Sequence, residues 1–375
     1  KLFSNFYNIG GKNMKKLLVL LLSLAMVLAV AGCTKKEEPT PTPEVTKTKI
    51  AVIVPQKRGD LGFTDSMYQG VENIQNAFGD QVEVTFAECA GDSSKFESTI
   101  YDACDQGPNL IITPAGSGFA DLIATKAAID YPDINFYLVD LNAAYTGITT
   151  KNVTALSYKQ NEATFLTGAL AAKLNTTGTI GYVAGMSNAV INDFTVGYIQ
   201  GAQYVNPDIK ILISYIGDFQ DSAKAKELAT TQIGMGADVV SQVAGTAGLG
   251  VLSAAKENKV WGIGVDSDQS NAYKDSDPEM SAIIASSAMK NGGAMLLDFV
   301  TRYLANDTTI PWGGVESKGL VAGAVEIAPL VDGVPAEVKE FITDLQNKVV
   351  NGDITVESAF EISEEAFNAY VESCQ

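Results

Sequence analysis

The chain contains no histidine and little cysteine or tryptophan: its 375 residues include four Cys and two Trp. Without an imidazole, histidine-dependent catalytic triads, histidine-rich zinc sites and imidazole general bases are all excluded. Basic residues are also scarce, since 26 Lys and Arg stand against 44 Asp and Glu, a formal net charge of −18. Nucleic-acid binding requires a basic surface, so we predict no nucleic-acid partner. We also predict no cofactor and no metal site.

The amino-terminal residues have the pattern of a bacterial lipoprotein signal. Residues 1–32 combine a short basic stretch with an apolar run that is too short to span a membrane comfortably. The run ends in Val-Ala-Gly-Cys, a lipobox in which Cys33 would be lipidated and become the mature amino terminus. An ordinary signal peptide followed by an incidental cysteine is the alternative.

The next residues predict a tether. Residues 33–47 are charged, rich in threonine and interrupted by prolines, so they cannot form a core and are expected to be extended. A lipid on Cys33 would hold the folded body at the extracytoplasmic face of the cell membrane without inserting it.

The other cysteines are Cys89, Cys104 and Cys374. An extracytoplasmic compartment permits disulfides, and a bridge between Cys89 and Cys104 is one interpretation. Cys104 also falls on the apolar face of a predicted helix, where a free cysteine is a common small hydrophobic residue. The sequence leaves both interpretations open.

Short apolar runs alternate with amphipathic helices and predict an α/β fold. The first run, Lys49–Val54, precedes a glycine-rich loop and a helix, and the same rhythm restarts near Asn161. This predicts two doubly wound, three-layer lobes, and the remaining elements are expected to cross back and complete them through a three-segment hinge. The predicted domains are a first lobe of 48–157 plus 286–320 and a second lobe of 158–285 plus 321–375.

Two aromatic residues follow strands and are candidates for ligand contact. The loop Gly59–Asp65 lies between the first strand and its helix, at the edge where open α/β sheets bind ligands. In it, Thr64 is a candidate helix cap, and Phe63 either packs locally or faces a flat ligand. Phe194, near a predicted helix start in the second lobe, has the same two interpretations. Together the rings could sandwich a flat base, each stack contributing roughly 1–3 kcal/mol.

Polar residues at other strand ends suggest a hydroxylated ligand. Asp266 follows an apolar strand and could accept hydrogen bonds from two vicinal hydroxyls, or simply cap a helix. Lys290 is predicted at a helix start, where the helix dipole disfavours a cation, so it either has a partner such as Asp266 or is solvated. Gly245 opens a weak match to a nucleotide-binding glycine motif, which we interpret as a close backbone approach to the ligand.

An ordered set of motifs between about residues 50 and 354 resembles a known family. The set comprises Gly59–Asp65 with Gly70, Gly118-Phe119, Phe136–Asp140, Glu162 with Gly168, Phe194–Gly201 with Asn206-Pro207, Gly264–Asp266 and Ser287–Lys290. It is similar to the basic membrane protein (BMP) family, lipoprotein receptors of ABC importers, several of which bind purine nucleosides. The resemblance implies a type I periplasmic-binding-protein fold.

The resemblance also implies roles for single residues. Phe63 and Phe194 match the aromatics that stack on the base, and Asp65 and Asp140 match positions that read its edge. Thr64 stands where asparagine is frequent. The residues that match the ribose-binding positions are Gly245, Asp266 and Lys290. The predicted ligand-binding set is completed by Asp60 and Gly118. The sequence departs from the family at Pro55–Arg58 and at Pro114-Ala115, which bears on the ligand rather than on the fold.

We therefore predict a lipid-anchored solute-binding protein, not an enzyme. Its expected ligand is a nucleoside, a purine one such as adenosine, guanosine or inosine, and its expected partner is an ABC permease. One alternative is the same clamp for a sugar or an autoinducer-type ligand. Others are a nucleoside-processing enzyme, although the strand-end acids are spread over two lobes rather than clustered for calcium, and an adhesin or signalling receptor.

Overall fold

The computed structural model of the protein describes residues 47–116 and 118–374. The predicted signal peptide, Cys33 and the predicted tether up to residue 46 lie outside these residues. Within the described ranges, no helix has both the length and the apolar character needed to cross a membrane.

Strands and helices alternate along most of the chain. The strands are β1 (Thr48–Val54), β2 (Val82–Glu88), β3 (Leu110–Pro114), β4 (Asn135–Val139), β5 (Val153–Tyr158), β6 (Thr179–Ala184), β7 (Lys210–Tyr215), β8 (Val239–Val243), β9 (Trp261–Asp266), β10 (Ile284–Lys290), β11 (Val315–Lys318) and β12 (Val325–Ile327). The helices are α1 (Phe63–Phe78), α2 (Phe96–Asp105), α3 (119–130, with a π-helical turn at Ile123–Ala127), α4 (Gln160–Leu174), α5 (Ala189–Val205), α6 (Ser222–Gly234), α7 (Gly248–Asn258), α8 (Gln269–Tyr273), α9 (Pro278–Ile283), α10 (Gly292–Leu304), α11 (Ala336–Val350) and α12 (Glu364–Glu372).

The strands form two six-stranded sheets. The first has the order β2-β1-β3-β4-β5-β11 and all its strands are parallel. The second has the order β7-β6-β8-β9-β10-β12, in which β12 alone is antiparallel. This order is that of a doubly wound sheet, whose ligands bind beyond the carboxyl ends of the strands. The prediction of two doubly wound α/β lobes is confirmed.

Burial explains why the apolar runs become central strands. Every residue of β3 and β5 is buried, and so are the last five residues of β1. A parallel strand with helices on both faces is mostly apolar, which is the pattern that these runs show. The edge strand β2 has only one buried residue.

The predicted return to the first lobe at residue 286 is wrong. β10 continues to Lys290 and pairs with β9, so 286–290 belongs to the second sheet. The polar residues Ser286 and Ser287 favoured a lobe boundary at this position, yet both are fully buried in β10, and Ser286 Oγ donates to the carbonyl of Ala328 at 2.7 Å.

Among the described residues, three adjacent crossings connect the lobes: the first joins β5 to α4, the second joins β10 to α10, and the third joins β11 to β12. The amide of Lys159 donates to the carbonyl of Lys318 at 2.9 Å. The amide of Asn291 donates to the carbonyl of Ala324, also at 2.9 Å. The amide of Leu320 donates to Glu162 Oε2 at 2.8 Å, which joins the first crossing to the third. These bonds hold the crossings side by side, as the predicted three-segment hinge requires.

Two helices of the second lobe pack with their backbones in contact. A Cβ atom at Gly197 or Gly201 on α5 would collide with the carbonyl oxygen of Asn161 or Phe165 on α4. Glycine is therefore required at both positions, and α5 is held rigidly against the helix that begins at the hinge.

The three cysteines of the described chain are free. Cys89, Cys104 and Cys374 are buried at 1%, 2% and 2% exposure, and none forms a disulfide. Of the two interpretations of Cys89 and Cys104, the structure supports the buried free thiols.

Candidate ligand-binding site

A cavity of about 400 Å³ lies between the lobes, at the carboxyl ends of both sheets. Nine of the ten residues predicted to bind ligand line it. They are Asp60, Phe63, Thr64, Gly118, Asp140, Phe194, Gly245, Asp266 and Lys290. The topology brings these residues together from widely separated parts of the sequence because parallel strands end at one edge of a sheet.

Asp60 shapes the start of α1. Its carboxylate is buried, and it accepts hydrogen bonds from the amides of Gly62 (3.0 Å), Thr64 (2.9 Å) and Asp65 (3.1 Å). Burial raises the pKa of Asp60, and the backbone donors oppose this shift. The predicted cap at Thr64 is wrong, because Asp60 supplies the oxygens that satisfy the first amides of the helix.

Asp65 stabilises the loop and does not line the cavity. Its Oδ1 accepts from the amide of Gly59 and its Oδ2 from the amide of Leu61, both at 2.8 Å. Leu61 has a φ of 47°, a left-handed conformation that is strained for a leucine and needs such support. Both carboxylate oxygens thus accept from the loop's own backbone, and the contact between Asp65 and the edge of the base stays a prediction.

Lys290 connects the two lobes across the cavity. It is the last residue of β10, not part of a helix start, and its side chain is 3% exposed. Its Nζ lies 2.6 Å from Oδ1 of Asp140, which follows β4 in the first lobe. The predicted partner Asp266 is thus wrong, and Asp140 takes that place. An ion pair buried to this extent is strongly destabilised when one partner is removed.

The same ammonium group lies among aromatic rings. Lys290 Nζ is 4.5 Å from the ring centroid of Phe194, 5.6 Å from that of Phe63 and 5.4 Å from that of Tyr158. These distances are within the range of cation–π attraction. Phe63 belongs to the first lobe and Phe194 to the second, so the cavity has an aromatic wall on each side.

Asp266 is a buried carboxylate without a hydrogen-bond donor among the described residues. It ends β9 with a φ of 65° and is 9% exposed. Burial raises the pKa of Asp266 to about 7; the charge of Lys290 opposes this shift, and the charges of Asp140 and Asp60 add to it. Because its oxygens line the cavity, Asp266 can accept hydrogen bonds from hydroxyl groups placed there.

Further contacts join the lobes beside the cavity. The carbonyl of Leu61 in the first lobe accepts from Gln269 Nε2 of the second at 3.1 Å, and from Ser267 Oγ. The side chain of Gln220 donates to that of Gln56. With the Lys290–Asp140 pair, these bonds describe a closed clamp.

Phe219, Tyr145 and Asn188 are among the lining residues that were not singled out from the sequence. Phe219 follows β7, and its ring covers Gly185 so closely that a Cβ atom there would collide with it. Tyr145 donates to Asp121 Oδ1 at 2.7 Å, and Asn188 caps α5 by accepting from the amide of Ile191 at 3.1 Å. An aromatic residue in a loop after a strand is the signal that identified Phe63, and it would also have identified Phe219.

Comparison with known proteins identifies the family. Residues 47–359 match the sequence profile of the Bmp family, described as ABC transporter substrate-binding protein PnrA-like. The chain belongs to this family. The predicted resemblance to the BMP family is thereby confirmed, and the protein is an ABC transporter substrate-binding protein.

Similarity to curated members of the Bmp family supports the same assignment. The "ABC transporter nucleoside-binding protein BmpA" of Lactococcus lactis subsp. cremoris is 32% identical over 361 residues, covering 92% of this chain and 100% of that protein. Basic membrane protein A of Borreliella burgdorferi is 30% identical over 325 residues, covering 86% of this chain and 91% of that protein.

Solved structures show the same fold. An ABC transporter solute-binding protein from Aeropyrum pernix has a TM-score of 0.74 at 22% identity, covering 87% of this chain and 97% of that one. A second, from Conexibacter woesei, has a TM-score of 0.66 at 20% identity, covering 84% and 100%. The type I periplasmic-binding-protein fold predicted from the sequence is confirmed.

Proposed function

We propose that this Bmp-family protein binds a nucleoside, of the purine type, in the interlobe cavity and delivers it to the permease of an ABC importer. The observation that carries the proposal is the pairing of an aromatic wall on each lobe with a buried, unbonded carboxylate at Asp266. A nucleoside has a flat base that suits the aromatic walls and a vicinal diol that suits the carboxylate of Asp266. The name of the Lactococcus relative, a nucleoside-binding protein, supports the same ligand class.

The aromatic walls suit a planar base. Phe63 and Phe194 both approach Lys290 Nζ, so the two rings border the same part of the cavity. A base between them would stack on both faces, with roughly 1–3 kcal/mol from each stack. Thr64 and Asp140 lie on the first-lobe side and supply polar groups for the edge of the base.

The ribose would lie toward Asp266 and Lys290. The carboxylate of Asp266 accepts from two hydroxyls, and the ammonium of Lys290, which donates to Asp140, has further N–H groups for a ribose oxygen. Gly245 has a φ of 54° and lines the cavity without a side chain, so its backbone can approach the sugar closely.

We further propose that Cys33 carries a lipid that holds the protein at the extracytoplasmic face of the bacterial cell membrane. Binding and release by a hinged clamp require no catalysis, and we propose no enzymatic role. Metabolic labelling with a radioactive fatty acid tests the anchor: label should be present in the wild type and absent in Cys33→Ala, and equal labelling of both would refute it.

The ligand is tested by calorimetric titration. Protein that has been unfolded, dialysed free of small molecules and refolded is titrated with adenosine, guanosine, inosine, adenine and ribose. At least one purine nucleoside should bind in the micromolar range or tighter, and ribose alone should not. Failure of every nucleoside to bind would refute the proposal.

Phe63→Leu tests the aromatic wall. Leucine keeps the apolar packing of this half-buried residue but removes the flat ring, so nucleoside affinity should fall tenfold or more. The matched control is Phe341→Leu, which removes a half-buried ring that also has a lysine nearby (Lys173 Nζ at 4.2 Å) but does not line the cavity. Equal affinities for the two variants would contradict the stacking.

A further inference from the structure

Asp193 is a fully buried carboxylate that lies beside the cavity without lining it. It belongs to α5, is 0% exposed, and directly precedes Phe194, whose ring lines the cavity. The amino terminus of α5 is already capped by Asn188, so the helix does not need this carboxylate as a cap. Burying a carboxylate is costly unless several hydrogen bonds compensate it, and its donors therefore show what the residue does.

The donors come from two segments that are distant in sequence. Gln160 Nε2 donates to Oδ2 of Asp193 at 2.6 Å, while Ser358 Oγ (2.6 Å) and the amide of Ala359 (2.8 Å) donate to Oδ1. Lys290 pairs with Asp140 rather than with this carboxylate, although its charge favours the ionised form of Asp193. Burial raises the pKa of Asp193 to about 6, and the bonds from Ser358 and Ala359 oppose the shift.

Gln160 lies where the first crossing enters the second lobe. It begins α4, two residues after Tyr158, the last residue of β5. The residue between them, Lys159, is bonded to the third crossing through the carbonyl of Lys318. The hydrogen bond from Gln160 therefore connects Asp193, and with it the start of α5, to the hinge.

Residues 356–359, which we call the C-terminal strap, lie against the same place. Asn161 Nδ2 donates to the carbonyls of Val356 (3.0 Å) and Glu357 (3.2 Å). The side chain of Gln200 on α5 donates to the carbonyl of Glu357 at 2.9 Å and accepts from its amide at 3.0 Å. The strap thus bridges α4 and α5, and none of its residues lines the cavity.

We propose that Asp193 is a positioning residue of the ligand site, which holds Phe194 in place relative to the hinge through Gln160 and the C-terminal strap. This rests on the proposed function, since it assumes that a ligand packs on Phe194. A wall that is ordered before the ligand arrives saves the ligand the entropic cost of ordering it. Loss of the Asp193 network would therefore weaken binding although no atom that touches the ligand has changed.

The test is Asp193→Asn, measured as ligand affinity by calorimetry. Asparagine is nearly the same size but carries no charge and accepts through one oxygen only, so the charge-assisted hydrogen bonds that Asp193 accepts from Gln160, Ser358 and Ala359 are weakened. Affinity for the nucleoside that the wild type binds should fall about tenfold, comparable to the loss of a hydrogen bond to a charged group. The control, Asp208→Asn, makes the same charge change at an exposed position soon after α5 and should leave affinity unchanged.

Ser358→Ala separates positioning from general destabilisation. It should weaken binding by a smaller factor, and Asp193→Asn combined with it should bind no more weakly than Asp193→Asn alone, because both act through one network. Urea denaturation, run in parallel, ensures that every variant is folded during titration. Wild-type affinity in Asp193→Asn, or full additivity of the two single effects, would overturn the inference.

Failure of the proposed function would be seen separately, as absence of nucleoside binding by the wild type. In that case hydrogen exchange decides the inference. Amides of residues 158–161 and 193–195 should exchange faster in Asp193→Asn than in Asp208→Asn, because the connection between α5 and the hinge is lost. Equal exchange in the two variants would overturn it.

Discussion

Replacing Asp266 by asparagine removes a carboxyl group that the folded protein must bury. In an unfolded chain an aspartate has a pKa of about 3.9, whereas burial raises the pKa of Asp266 to about 7 in the folded protein. The folded state therefore binds this proton more tightly than the unfolded state does. The stabilisation that comes from this tighter proton binding by Asp266 is fully present below about pH 4 and is lost as the pH rises through 7.

The size of the effect follows from the two pKa values. A difference of about three units corresponds to about 4 kcal/mol, at 1.36 kcal/mol per unit. Of this, about 1 kcal/mol is already lost at about pH 4.5 and essentially all at about pH 8. Asparagine does not titrate, so the stability of Asp266→Asn relative to the wild type should rise by about 3 kcal/mol between these two pH values.

The assay is urea denaturation of ligand-free wild type and Asp266→Asn at both pH values. Comparing the same two proteins across pH cancels any pH-independent effect of the substitution. Asp275→Asn, at an exposed position, is the control and should differ from the wild type by the same amount at both pH values. A pH-independent difference between the wild type and Asp266→Asn would refute the reasoning. Nucleoside affinity should fall in the same variant, so that stability and binding change in opposite directions.

Two further predictions concern stability. Lys290→Met leaves Asp140 without its cation and should lower the free energy of unfolding by about 3–5 kcal/mol in urea denaturation. Adding Asp140→Asn should restore part of this, and additive losses would contradict the pairing. Gly201→Ala forces a Cβ atom against the carbonyl of Phe165 and should cost about 1–3 kcal/mol, seen as a lower melting temperature. Gly234→Ala, where a Cβ atom meets nothing, is its control.

Much of the fold was predictable because burial constrains composition. Strands covered on both faces are mostly apolar, and β1, β3 and β5 were evident as largely apolar runs for this reason. β10 departs from this rule. Its serines are buried because hydrogen bonds such as that from Ser286 to Ala328 satisfy them, and a bond between residues 42 positions apart leaves no local pattern in the sequence.

The candidate site was predictable where position along a strand was enough. Asp266 ends a strand, and Asp140 and Phe63 each follow one, so the rule that parallel strands end at one edge placed all three at the cleft. Asp65 shows the limit of that rule. It lies in the same loop as Phe63, yet its oxygens accept from Gly59 and Leu61, and only the folded path of the loop determines where a side chain points.

By itself, the sequence determined the classes of chemistry available, the two α/β lobes and the strand-end residues at the cleft, because these depend on residue type and local periodicity. The tertiary structure decided that Lys290 pairs with Asp140 rather than Asp266, and that Asp193 bonds to Gln160 and Ser358. Those partners are 150, 33 and 165 positions apart. Such pairings depend on which donors and acceptors the packed lobes bring within hydrogen-bond distance, and no local sequence pattern records that.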